Sequence, residues 1–123
     1  MGNILQNVFQ MKKTGELGEE IIKNFLQKRG FNIIGKNLWL KKYGEIDIIA
    51  EKNKIYYFIE VKTLKYNENF DPSLHFTKRK REKLHNLIIY YSNKNKINEF
   101  KALLATVQLG PNNKIKIKFY ENV

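Results

Sequence analysis

Cysteine is absent from this 123-residue chain. That excludes disulfides, thiolate zinc sites and cysteine nucleophiles together, and it suits a reducing cytoplasm. No apolar run approaches the roughly eighteen residues that a membrane-spanning helix needs, so no such helix is expected. The amino terminus, Met1-Gly2-Asn3-Ile4-Leu5-Gln6, has no basic segment leading into an apolar one, so no signal peptide is expected either. Gln6 stands where a myristoylation signal wants Ser or Thr. Histidine is scarce, and His75 and His85 have no partner at metal-ligand spacing, so both are read as ordinary residues. Acids are scarce as well: 12 Asp and Glu stand against 23 Lys and Arg, a formal charge of +11.

A positive field of that size in so short a chain points to polyanions, nucleic acid first. Codon bias towards Lys, Ile and Asn would explain part of the lysine, but such bias ordinarily raises Glu too, and here the acids lag. Hydrophobic residues make up 42%, enough for a folded core. The length fits a single domain over 14–123, preceded by a loose or helical lead-in at 1–13.

Apolar residues at helical spacing (Leu17, Ile21, Ile22, Phe25, Leu26) predict a helix from a capping Thr14 to Arg29, stopped by Gly30. Phe31 to Leu40 reads as a strand bent near Gly35. Glu45 to Ala50 and Ile55 to Thr63 read as two more strands, joined by a tight turn at Asn53. Residues 64–76 read as a loop that could fold over DNA, bearing Tyr66, Phe70, Pro72, His75 and Phe76. A second helix runs from Thr77 to about Asn93, then a strand over Ala102 to Leu109, a turn at Gly110-Pro111-Asn112-Asn113, and an edge strand carrying Ile115, Ile117 and Phe119. Trp39, Tyr56, Tyr57 and Phe58 are read as core rather than as base-stacking platforms. The order predicts a mixed α/β sandwich around a central sheet.

Two strands carry the chemistry. If Asn53-Lys54 is the two-residue turn, Lys52 faces Ile55 and the ladder sets Asp47 opposite Glu60 on one face. Facing carboxylates repel, and a divalent cation is the simplest compensation. Lys62, two residues beyond Glu60, shares that face. Asp47 and Glu60 would hold Mg²⁺ or Mn²⁺, the backbone carbonyl of Val61 could add a ligand, and Lys62 would orient a water polarised for phosphodiester hydrolysis. The motif Glu-x-Lys has little weight alone. It recurs at Glu99-Phe100-Lys101, read as a decoy, and the same residues would suit a solvated sheet face with a Glu–Lys pair. On the first helix, Gly18 falls in the buried face, a close-approach signal. Glu19 lies at its edge and is the acid best placed to reach the site, although acids there also favour the helix dipole. Lys78, Arg79, Lys80, Arg81 and Lys83 open the second helix, against its dipole, and suit phosphate contacts.

Gly15-x-x-Gly18-Glu19, Gly30-Phe31, Asn37, Gly44-Glu45-Ile46-Asp47-Ile48-Ile49-Ala50 and Phe58-Ile59-Glu60-Val61-Lys62-Thr63 resemble the YraN (UPF0102) family. That family looks like the PD-(D/E)XK nuclease superfamily and is similar to archaeal Holliday junction resolvases. The resemblance spans roughly residues 14–109. It implies a restriction-endonuclease-like αβββαβ core, a central mixed sheet flanked by helices. It also implies a Mg²⁺- or Mn²⁺-dependent endodeoxyribonuclease of the cytoplasm, acting on DNA and branched DNA in particular, with Asp47 and Glu60 as metal ligands, Lys62 as the catalytic lysine and Glu19 as the acid of the first helix. Resolvase-like members are symmetric dimers, so a homodimer is implied as well. This chain departs from the family pattern at Leu64, where an Arg is usual and Lys65 follows as a DNA-binding candidate, and at Phe100-Lys101-Ala102-Leu103, which lacks the family's acid. A nuclease fold that grips DNA without cutting is the alternative.

Overall fold

The computed structural model describes residues 14–121, so the expected lead-in at 1–13 lies outside the described residues, as does the side chain of Thr14. Helix α1 (Thr14–Lys28) buries Leu17, Ile22 and Leu26. It stops where Gly30 turns left-handed at φ 86°, with Gly30 N–H on the Gln27 carbonyl and Phe31 N–H on that of Leu26.

Strand β1 (Asn32–Trp39) carries a register shift between Ile33 and Gly35, the bend expected there. Ile33 packs against the core beneath α1, and Leu38, further along, packs against the core on the opposite face. Trp39, the last residue of this strand at the sheet's edge, is turned out and 71% exposed. This corrects its assignment to the core, whereas Phe58 is buried as expected.

Strands β2 (Glu45–Lys52) and β3 (Ile55–Leu64) form the expected hairpin. Asn53 and Lys54 both adopt positive φ, at 54° and 67°, the geometry of a two-residue turn whose twist matches the strands. Lys52 pairs with Ile55, and the ladder continues to Ile48 against Ile59.

The stretch expected as a loop contains one helical turn, α2 (Pro72–His75). Asp71 caps it by accepting from the Ser73 N–H at 3.0 Å, and Pro72 occupies the first turn. Helix α3 (Lys78–Asn95) starts at Thr77, whose hydroxyl accepts from the Lys80 N–H, and ends at left-handed Lys96. Strand β4 (Phe100–Leu109) runs parallel to β3, and β5 (Ile115–Glu121) antiparallel to β4.

The five strands lie in sequence order in one mixed sheet. Helix α1 covers one face through Ile22 and Leu26 on Ile48, Ala50, Ile59, Ala105 and Val107. Helix α3 covers the other through Leu87 and Ile88 on Ile46, Ile49 and Phe58. This five-stranded mixed sheet flanked by helices is the mixed α/β architecture that the sequence predicted, and it is consistent with the restriction-endonuclease-like core that the resemblance implied. Among the described residues, no helix is long and apolar enough to cross a membrane.

Candidate active site

The β2–β3 ladder opens one step beyond Ile48 and Ile59. There Asp47 Oδ2 accepts the Val61 N–H at 2.8 Å, a side-chain bond in place of a ladder bond. N–H and C=O of one residue leave a strand on the same edge, so the Val61 carbonyl also faces β2. Burial pushes the Asp47 carboxyl up from its ordinary pKa, the Val61 N–H opposes this, and the charges of Glu60 and Glu45 add to it.

Glu60 is next to Phe58 in the alternation of β3, and Phe58 packs in the α3 core, so Glu60 and Lys62 rise on that face. Glu60 Oε2 meets His75 Nε2 at 2.5 Å. Expected to be ordinary, His75 is instead delivered to the site by α2. The Asp71-Pro72 cap signal could have predicted the helical turn, but not the strand residue it meets. Lys62 is exposed.

A cleft of about 370 Å³ lies over these residues, lined by Asp47 and Glu60 from the sheet, His75 and Phe76 beside α2, Lys80 and Lys83 from α3, and Trp39 at its edge. Lys62 is not among the lining residues.

Glu19 approaches from the α1 side because Gly18 lets that helix close on β3. A Cβ at Gly18 would lie 2.1 Å from Thr63 Oγ1. The Glu19 carboxyl is raised from its ordinary pKa, first by burial and then by the charge of Asp47, while the Asn37 side chain bonds to it and opposes the shift. Its Oε2 is buried with no hydrogen-bond partner. Glu20 follows a different course: Lys36 and Lys23 hold it, and its pKa falls to about 2.

The donor set is therefore all hard oxygen: the repelling carboxylates of Asp47 and Glu19, both with raised pKa values and the latter with an orphaned oxygen, and Glu60 across the strand gap. It fits Mg²⁺ or Mn²⁺ in chemistry. Among the described residues, no three acids or histidines are gathered closely enough to hold a metal as they stand. Glu60, turned to His75, is the carboxylate that would have to rotate.

The basic run divides on α3. Lys80 and Lys83 line the cleft, whereas Lys78 and Arg81 line a separate hollow of about 700 Å³ with His85, Phe100 and Lys101. Arg79 is exposed and lines neither. Lys65 lies beyond β3, its carbonyl taken by Gln108. Glu99 and Lys101 stand at the start of β4, where Tyr56 pairs with Phe100, away from Glu60.

The model of the uncharacterised protein family UPF0102 matches residues 18–108. A UPF0102 protein of Aliarcobacter butzleri is 41% identical over 87 residues, covering 71% of this chain and 77% of its own. One from Sulfurovum is 37% identical over 109 residues, covering 89% and 91%. Another, from Alkaliphilus metalliredigens, is 40% identical over 106 residues, covering 85% and 92%. Among solved structures, Pyrococcus furiosus SfsA in complex with Ca²⁺ aligns with a TM-score of 0.35 and 15% identity, over 88% of this chain and 62% of that one.

Proposed function

The chain belongs to the uncharacterised protein family UPF0102, and we propose that it is a metal-dependent endodeoxyribonuclease hydrolysing DNA phosphodiesters, with branched DNA the preferred form. The observation that carries this reading is the opened strand pair, with Asp47 and Glu60 facing one cleft and the unpartnered oxygen of Glu19 buried beside Asp47.

Asp47, Glu60, the Val61 carbonyl and Glu19 would hold Mg²⁺ or Mn²⁺. The ion supplies Lewis acidity towards a phosphate oxygen and a water. Lys62, on the Glu60 face, would orient the attacking water and offset the negative charge gathering on the phosphoryl oxygens as the water's oxygen bonds to phosphorus and the bond to the leaving oxygen breaks. Lys80 and Lys83 hold the phosphate backbone over the cleft, with Lys65, Lys78, Arg79 and Arg81 extending the positive track. A homodimer would present two such clefts to the two strands of a junction.

The test is a labelled four-way junction, a matched duplex and a single strand, each with Mg²⁺, Mn²⁺ or EDTA. Metal-dependent cutting, lost in Asp47→Asn and Lys62→Ala, is the expected result. Binding without cutting in either metal overturns catalysis. The contact of His75 with Glu60, in a cleft where no three ligands yet converge, favours that second reading: a DNA-binding module on a nuclease fold.

A further inference from the structure

The sole tryptophan of the chain is the most exposed aromatic ring among the described residues and stands at the edge of the acid cleft. An indole left 71% exposed forgoes a large burial term, which is unusual for Trp in a folded chain. Its support is firm. Trp39 pairs with Glu45 across the β1–β2 connection, which is closed by the Leu40 N–H on the Gly44 carbonyl at 2.7 Å. The same connection is pinned to α3, where Tyr43 stacks on Tyr90 with centroids 4.6 Å apart. The strand end that carries the ring is thus held in place.

Lysines share its surroundings with the exposed Glu45 opposite it. Lys41 and Lys42 are exposed on this connection, and Lys80 and Lys83 line the cleft beside it. A flat apolar face at a cleft that also presents ammonium groups matches one chemistry well: a nucleobase attached to phosphates. In a continuous duplex both faces of each base are covered by neighbours. Only an unpaired base offers a free face to an indole.

We propose that Trp39 is a stacking platform for an unpaired nucleobase next to the phosphate held over Asp47 and Glu60, so that the cleft selects single-stranded or branched DNA over continuous duplex. This rests on the reading of the chain as a protein acting on DNA, and it names the feature of the substrate that is read.

The experiment uses the full chain in EDTA, where nothing is cut. Oligothymidylate is titrated while indole emission is followed, and only Trp39 reports. Quenching that saturates with binding is expected, and a matched duplex leaves emission nearly unchanged. By anisotropy of labelled DNA, Trp39→Ala lowers the single-strand-to-duplex affinity ratio about tenfold, within the range of one stacked base, and Trp39→Phe restores it. Oligothymidylate that binds with silent emission, or a ratio unchanged in Trp39→Ala, overturns the proposal. So does emission that shifts on dilution without DNA, which would give the indole to a second copy of the chain. Quenching by a protein that never cuts keeps this proposal and removes the nuclease reading. Metal-dependent cutting with a silent indole does the reverse.

Discussion

At the residue scale, Asp47 carries the strongest conflict. Its carboxylate is half-buried, faces the charges of Glu60 and Glu45, and is held by one N–H from Val61. A carboxyl whose pKa is raised on folding binds more protons in the native than in the unfolded chain. Its contribution to stability is therefore present at low pH and is lost as pH rises from the ordinary carboxylate value through the raised one. Glu19, raised in the same direction, adds to that loss. Asp47→Asn keeps an oxygen acceptor for the Val61 N–H and removes the charge. In EDTA at neutral pH this variant melts above the parent chain, and the gap closes towards pH ~4, near the ordinary Asp value. Thermal melts across pH check this. An Asn variant less stable at every pH would mean that the carboxylate is compensated where it stands. Added Mg²⁺ raises the melting temperature of the parent chain by linkage and leaves the variant unmoved.

At the scale of elements, the site depends on α1 lying close against β3, and Gly18 sets that distance. Alanine would gain about 1 kcal/mol of helix propensity. Its Cβ would meet Thr63 Oγ1 at 2.1 Å and Val61 Cγ1 at 3.4 Å. Thr63 is β-branched and cannot swing aside freely, so overpacking of about 1–3 kcal/mol is set against the propensity gain. Gly18→Ala lowers the denaturation midpoint and moves Glu19 away from Asp47, which weakens Mg²⁺ binding; urea melts and metal titration check each part. This close approach was legible in the sequence, because glycine in a buried helical stripe has few other uses. So was the hairpin, since a two-residue turn at Asn53-Lys54 fixes which residues of β2 and β3 face each other. Trp39 was not legible. Its exposure comes from standing at the last residue of an outer strand, and a strand's place in the sheet is set by packing far along the chain. Nor was the contact between His75 and Glu60, which depends on where α2 docks, not on any local pattern. Strand register is a local property of the chain; a strand's place in the sheet and the landing point of a loop are not.

At the scale of the whole molecule, the charge of +11 acts twice, with opposite signs in salt. Within the free protein it is self-repulsion, which added salt screens, so moderate salt raises the melting temperature. Towards DNA it is attraction, which salt weakens by about 0.7 in log–log slope for each phosphate neutralised on a single strand. The two responses separate charge used at the cleft from charge that is merely carried. Lys80 and Lys83 line the cleft, whereas Lys94 stands near the end of α3, over the ring of Tyr90. Replacing Lys80 and Lys83 by Ala reduces the slope for single-stranded DNA by about 1.4, because two phosphates are no longer neutralised. Replacing Lys94 lowers the net charge yet leaves the slope nearly unchanged. Binding isotherms at several salt concentrations decide the matter. A slope that tracks net charge alone, indifferent to which lysine is removed, would mean that DNA is held by the general field and that the cleft does not place it.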